Sequence, residues 1–370
     1  MKEKVQHGNL KNNFMFKKCL LFTLTFFAFF SCADKKHEIK QEQKEIKQEQ
    51  KDTTKIFGCM DTTMFNYNPL ANTQPANVCI PKFNSDSAYY YIEKQVSFGP
   101  RFLSSVGWKN CALWLEKKLN SYCPNVIVQT APTTTYDGKT HTLKNIIASF
   151  DPNKKNRVVL FAHWDTRHIA DYDTKNKKDP ILGANDGGSG VAVLIELARQ
   201  FSLQSPNIGI DIVLFDAEDY GQPEKSEYPK MENSWCLGSQ YWSKNPHKKN
   251  YTAKYGILLD MVGAKNATFR FEEISRTYAK HILNKVWKKG HQLGFEKYFI
   301  FENTGPIVDD HLYVNMILKT IPTIDIIEYD PATITNFNKH WHTHNDNMQN
   351  VNRETLNAVG QTLLDVIYNE

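Results

Sequence analysis

Five short motifs combine residue types that bind a metal ion or move a proton: His163-Trp164-Asp165, Asn185-Asp186-Gly187-Gly188, Asp216-Ala217-Glu218-Asp219, Leu259-Asp260 and Trp341-His342. Imidazole nitrogen and carboxylate oxygen are donors that Zn²⁺ accepts. Neighbouring acids at a strand end, such as Glu218 and Asp219, point in different directions, so one can hold metal while the other serves as acid and base. Each motif also has an ordinary structural explanation. Asp186 lies in a glycine-rich turn ahead of a helical pattern and suits a helix cap. Glu218 and Asp219 suit a surface loop, and Trp341 suits a core. His340, His342 and His344 share one loop and any of them has a ligand's chemistry; His342 is the candidate taken, with His340 and His344 facing solvent. Asp260 ends an apolar run, where an acid is costly to bury without a partner. Asp309-Asp310-His311 opens a predicted helix, where one acid caps and favours the dipole while the other is free for a site. Five such motifs in one chain point to a metal enzyme.

The elements that must position them alternate in type. Helices are expected at 87–96, 108–120, 188–201, 275–293, 309–318 and 353–368, and strands at 126–130, 143–150, 157–162, 210–215, 255–260 and 323–327. Val191, Leu194, Ile195 and Ala198 recur at helical spacing, whereas Ile210 to Phe215 is a short continuous apolar run. This alternation predicts an α/β fold: a three-layer α/β/α single domain with a central mixed, largely parallel sheet. In such a sheet the loops at the carboxyl ends of the strands converge on one crevice. Each motif follows an apolar run or lies between such a run and a helix, where that convergence would use it.

The catalytic domain is expected at 85–370, preceded by three segments of other character. From Cys19 to Phe30 runs an apolar stretch behind Lys17 and Lys18. It suits a secretory signal and is shorter than the roughly 20 residues of a membrane span. Ser31-Cys32 closes it in the manner of a bacterial lipoprotein signal, so 1–31 is read as the signal peptide and Cys32 as the lipidated residue; Met15 is an alternative start. Residues 32–56 are nearly all polar and read as a tether. Residues 57–84 form a small module bracketed by Cys59 and Cys79, which an exported protein can bridge. Cys111 and Cys123 flank a helix whose length of roughly 18 Å separates them too far for a bridge unless the helix ends early. Cys236 has no assignment. Residues 1–31 hold five Lys and one Glu, a net of +4 out of the chain's +5, so the remainder is about +1. Near-neutrality gives no reason to invoke nucleic acid. An exported, membrane-anchored monomer facing the periplasm or the cell surface is expected.

Taken together, the motifs resemble the zinc aminopeptidase superfamily, and within it the glutaminyl cyclases of the animal type and their bacterial relatives. The resemblance covers roughly 86–370. It is carried most specifically by 258–269, by Val308-Asp309-Asp310-His311-Leu312, and by Trp341-His342-Thr343 with Asn345-Asp346-Asn347. It implies that Asp186, Asp219 and His342 hold one Zn²⁺, that Glu218 shuttles a proton, and that Asp260 and Asp309 complete a hydrogen-bond network. It further implies that Trp341 and Phe337 line the substrate pocket, with His163, Asp165 and Asp310 as additional site residues. The implied reaction converts N-terminal glutamine of peptides and proteins to pyroglutamate with loss of ammonia. Where animal cyclases carry Glu, this chain has Asp219, one methylene shorter, so its loop must approach the ion more closely. The rival reading is an aminopeptidase using a second zinc, with His163, Asp186, Asp219, Asp260 and His342 as ligands. A non-enzymatic surface lipoprotein with a decayed site is a third, opposed by the complete acid set.

Overall fold

In the computed structural model, two amphipathic helices, Ser85–Val96 (α1) and Val106–Asn120 (α2), open the domain. Each begins on a side-chain cap: Asn84 accepts from the Ser87 amide and Ser105 from the Trp108 amide, replacing partners that a first helical turn lacks. Residues 40, 41, 43, 44 and 55–370 are described. The signal-like stretch, Cys32 and most of the polar tether lie outside the described residues. Residues 56–370 form one compact unit. Among the described residues, no helix is long and apolar enough to cross a membrane.

Strands Val126–Thr134 (β1) and Thr140–Phe150 (β2) pair as an antiparallel hairpin. Arg157–His163 (β3), Gly209–Phe215 (β4) and Gly256–Asp260 (β5) follow, with helix Gly188–Leu203 (α3) between β3 and β4 and Leu237–Lys244 (α4) between β4 and β5. A small parallel pair, Phe269–Phe271 (β6) and Phe299–Asn303 (β7), flanks the long helix Glu273–Gln292 (α5). Asp310–Tyr313 (α6) runs into a π-helical turn at Val314–Leu318, then come Thr323–Ile327 (β8) and Arg353–Tyr368 (α7).

The main sheet has the order β1-β2-β4-β3-β5-β8. β3 pairs parallel to β4 and β5, and β5 parallel to β8, while β1 and β2 add antiparallel strands at one side. Every residue of β3, β4, β5 and β8 is buried, as strands covered on both faces must be. The covering layers are unequal. One face of the sheet packs with α1, α2, α3, α5 and α7 into the larger core, where Leu160, Ile212, Leu259 and Ile326 lie. On the other face, Val159, Phe161, Val213 and Leu258 meet Trp242 of α4, Tyr251 and Val314 in a smaller cluster. Cys59 and Cys79 are disulfide-bonded, and the segment they bracket docks on the domain. Gln204 donates to the Cys79 carbonyl at 2.7 Å, and the Phe83 amide donates to Gln361 at 2.9 Å. Cys111, Cys123 and Cys236 are free and buried.

The expected helices and strands are present with ends shifted by a few residues. Three features were not expected: α4, the β6–β7 pair and the extension of β1 to Thr134. The stretch expected as one helix over 309–318 is α6 followed by the π-helical turn.

The smaller face also buries an ion pair. Asp211, within β4, is fully buried and accepts from Arg157 Nη2 at 2.8 Å, Ser149 at 2.6 Å and Tyr251 at 2.6 Å. Burial alone would raise its carboxyl, but donation from His247, Arg157, Ser149 and Tyr251 holds it well below the usual aspartate range. Removing one partner strands a buried charge. Asp211→Ala is expected to lower unfolding free energy by about 3–5 kcal/mol in urea titrations. Because the folded-state pKa is depressed, this contribution is present above the unfolded value and is lost as pH falls. The gap between wild type and variant should therefore narrow in acid; a gap independent of pH would contradict the assignment.

Candidate active site and metal centre

β3, β4, β5 and β8 are parallel, so their carboxyl ends open on one edge of the sheet. His163 is the last residue of β3, Asp260 the last of β5, and Asp216 to Asp219 follow β4 directly. Asp186 precedes α3, His342 lies in the loop from β8 to α7, and Asp309 is the N-cap of α6. All five motifs meet there. His163 Nε2 is 3.1 Å from both Asp186 Oδ1 and Asp260 Oδ1. His342 Nε2 is 3.0 Å from Asp219 Oδ1 and 3.7 Å from Asp186 Oδ2. Two buried trios result, His163–Asp186–Asp260 and Asp186–Asp219–His342, each with its donor atoms within 4.8 Å of one another, and Asp186 belongs to both.

The backbone is forced into place around these groups. Ala217 (φ 56°), Met261 (φ 49°) and His342 (φ 54°) are left-handed without being glycine, and they adjoin Glu218, adjoin Asp260 and carry the imidazole respectively. Such conformations cost on the order of 1–3 kcal/mol each and persist only where the surroundings over-determine them. Gly187 (φ 78°) is needed for another reason: a Cβ there would stand 2.3 Å from the Asp165 carbonyl oxygen. Gly187, not Asp186, occupies the cap position of α3, and the capping explanation for Asp186 fails.

Buried carboxylates hold the ligand loops by their amides. Asp165 accepts from the Glu218 and Asp219 amides, both at 3.1 Å. Asp346 accepts from the Asn185 and Asp186 amides at 2.8 and 3.0 Å. Fully buried Arg101 donates to the carbonyls of Trp164, Leu182 and Gly183. Asp171 Oδ1 stands 3.2 Å from His342 Nδ1, and Arg167 grips Asp171 while donating to the Asp219 and Gly221 carbonyls. Arg101, Arg167 and Asp171 were not singled out from sequence, because single acids and arginines in loops carry no spacing that marks them; Asp346 was read only as part of the Asn345-Asp346-Asn347 motif, without a role. His344 is turned to Asp173 at 2.9 Å and half-buried His340 is outside both trios.

The electrostatics ask for a cation. Burial and the charge of Asp219 push the Asp186 carboxyl up to about 7, although His163 pulls the other way. Burial would lower His342, but Asp219 and Asp171 outweigh it and carry the ring to about 9. Asp186 Oδ2 and Asp219 Oδ2 have no hydrogen-bond partner among the described residues. Two buried carboxylates with orphaned oxygens beside one imidazole form a donor set that fits Zn²⁺. Glu218 remains outside it. Its side chain is 12% exposed, its Oε1 lies 3.3 Å from Cys236 Sγ, and burial with the charges of Asp219, Asp309 and Asp310 raises its carboxyl well above the usual range against the pull of His163.

These groups form one end of a cavity of about 370 Å³ whose other walls include Trp235, Ile307, Tyr329, Phe337 and Trp341. The Trp341 ring stacks on His342 at 3.7 Å, and Phe337 meets Trp341 at 4.9 Å. Asp310 is fully buried behind the cavity rather than in its lining.

A model of peptidase family M28 matches residues 145–367. Among solved structures, a glutaminyl cyclase of Tannerella forsythia is 53% identical, with a TM-score of 0.76, over 78% of this chain and 100% of its own. A Zn-dependent exopeptidase of Parabacteroides distasonis is 52% identical, with a TM-score of 0.77, over 79% and 100%. The glutaminyl-peptide cyclotransferase of Bos taurus is 26% identical over 246 residues, 59% of this chain and 64% of that relative, so the match spans less than two thirds of the curated protein's length.

A carboxylate on the far nitrogen of a ligand histidine fixes its tautomer and raises its basicity. Asp171→Asn is therefore expected to weaken metal binding about 10- to 100-fold in chelator competition while the fold is kept. Unchanged affinity would remove Asp171 from the metal centre.

Proposed function

The chain belongs to peptidase family M28, and from that premise we propose that it is a zinc-dependent glutaminyl-peptide cyclotransferase. The observation that carries this reading is the placement of Glu218 and Asp309 in one cavity with Asp186, Asp219 and His342, beneath an aromatic wall. The substrate is a peptide or protein with N-terminal glutamine. Asp186, Asp219 and His342 would hold one Zn²⁺, which when bound acts as a Lewis acid on the γ-carboxamide oxygen. Phe337 and Trp341 line the pocket for the glutamine side chain and keep water from the carbonyl carbon. The substrate's α-amine, which ionises near pH 8 (about 7.7–8.0), attacks that carbon and closes a five-membered lactam. Glu218 accepts the proton the amine loses and returns it to the departing nitrogen, which leaves as ammonia. No water is consumed. Asp260 fixes His163, and Asp309 faces the same cavity as Glu218.

A two-zinc aminopeptidase is the second reading, favoured by the sharing of Asp186 between two donor trios. Mass spectrometry of a glutamine-led peptide separates the two. Loss of one ammonia from an intact chain supports cyclisation, loss of the whole first residue supports the peptidase, and no change against both would revive a binding protein. In the same assay Glu218→Gln should lower turnover by about 10²- to 10⁴-fold with zinc content unchanged; near-normal turnover would remove Glu218 from proton transfer.

The sequence adds a location to this proposal. Lipidation at Cys32 and the polar tether of 32–56 would anchor a monomer to the membrane, facing the periplasm or the cell surface, with no nucleic-acid partner. Cys32→Ala should move the expressed protein from the detergent phase to the aqueous phase; unaltered partition would refute the anchor.

A further inference from the structure

Behind Asp309 lies a group of ionisable side chains that the mechanism leaves unused. Asp325 sits in the middle of β8, between the core residues Ile324 and Ile326, on a strand buried throughout. Asp309 and His311 from the start of α6, Glu272 ahead of α5 and Asp260 at the end of β5 surround it. Asp325, Asp310 and His311 are wholly buried, Glu272 is 1% exposed and Asp309 3%. Asp309 and Asp260 border the cavity, while Asp325, His311 and Glu272 behind them are cut off from water.

The hydrogen bonds of this group are incomplete in a specific way. Glu272 caps α5, accepting from the Ile274 and Ser275 amides, and lies 3.1 Å from His311 Nε2. Asp309 Oδ1 accepts from the Asp310 amide. Donor-capable or acceptor-capable atoms of Asp309, His311 and Asp325 lie within 4.8 Å of one another. Yet Asp309 Oδ2, both oxygens of Asp325 and His311 Nδ1 have no hydrogen-bond partner among the described residues, and His311 Nδ1 is 3.7 Å from Asp325 Oδ2. Two carboxylates this close and this dry cannot both ionise; one shared proton turns the repulsion into a hydrogen bond.

We propose that Asp325 is a positioning residue for the reaction: it stays a neutral carboxylic acid and donates its proton as a hydrogen bond to Asp309, fixing that carboxylate at the floor of the cavity. Burial, with the charges of Asp309, Asp260 and Glu272, holds the Asp325 carboxyl well above the usual range. Ionised Asp309 then has the Asp310 amide on one oxygen and the Asp325 acid on the other. The kinetic part of this proposal rests on the cyclase reading; the placement of the proton does not.

Asparagine reproduces a protonated aspartate in shape and in donating on one side, whereas alanine does not. With zinc-loaded protein and a glutamine-led peptide, Asp325→Ala is expected to lose about tenfold or more in kcat with KM little changed, and Asp325→Asn to recover most of that loss. Independently, infrared spectra of the resting protein should contain a protonated-carboxyl carbonyl band that Asp325→Asn lacks. That band is read without turnover, so its loss supports a neutral Asp325 even in a chain that failed the glutamine assay. A band unchanged in Asp325→Asn, or absent from the wild type, overturns the proposal. So does Asp325→Asn as impaired as Asp325→Ala while both melt cooperatively, which would make Asp325 an anion. A second equivalent of zinc, lost in both variants, would assign the cluster to a metal and also overturn it.

Discussion

Carboxylates do not gather out of water unless something answers their charge, and this protein gathers many at one edge of its sheet. Asp165, Asp186, Asp219, Asp260, Asp309, Asp310 and Asp346 are each at most 8% exposed. An isolated buried carboxylate costs several kcal/mol, and neighbours of like sign add to that. Three kinds of answer are visible. Backbone amides serve Asp165 and Asp346, imidazole and guanidinium serve Asp171, Asp219 and Asp260, and the orphaned oxygens of Asp186 and Asp219 are left for an ion. The arrangement around the site follows from this. Loops that carry ligands also carry the donors that make neighbouring acids tolerable, and the left-handed residues at Ala217, Met261 and His342 are held by that mutual pinning.

The sheet supplies the geometry that pinning needs. Four parallel strands end together, so acids placed at their last residues or just beyond share a volume without any long loop having to reach. The unequal covering matters as well. The larger core on one face is apolar and locks α3 and α7 against the sheet, whereas the smaller face admits the polar groups: Asp211 with Arg157 beneath β4, and Asp325 with His311 beneath β8. Strand alternation sends Asp211 and Asp325 to that face because their neighbours Ile210, Ile212, Ile324 and Ile326 all belong to the larger core.

What the sequence made legible was the part with a repeating signal. Continuous apolar runs marked β3, β4, β5 and β8, and an acid or histidine at each run's end marked the crevice. Glu218, Asp219 and Asp260 were readable for that reason, Asp186 and Asp309 as acids just ahead of helical patterns, and His342 as a histidine of a His-rich loop beside Trp341; the structure brings them into one cavity. The helix α4 was missed because its eight residues mix Gly, Ser and Lys with only a short apolar face. β6 and β7 were missed because pairing, rather than composition, makes them strands. Asp171, and the role of Asp346 within its quoted motif, were invisible for a different cause: their importance lies in which amide or imidazole they meet across the fold, and 171 residues separate His342 from its carboxylate partner. Asp325 was in plain view as an acid inside a buried strand, the kind of local inconsistency that marks a functional site, but its partners come from three other elements.

The same donor set serves two chemistries, and the difference between them lies in what the surroundings do to water. A hydrolase of this family type must hold a water where it can attack, and a second ion is one way to activate it. A cyclase needs the opposite, since the nucleophile is already tethered to the carbonyl and water is only a competitor. Here His163 Nε2 lies 3.1 Å from Asp186 and Asp260, and His342 Nε2 3.0 Å from Asp219, so the two trios sharing Asp186 offer an ion similar spacing. The aromatic rings of Trp341 and Phe337 stand over the His342 side. A carboxylic acid at Asp325 would carry that logic one layer deeper: a proton, rather than a water or a metal, would satisfy the acid behind the cavity floor. The floor then stays dry and rigid, which suits a reaction whose nucleophile, electrophile and leaving group all arrive on one substrate residue.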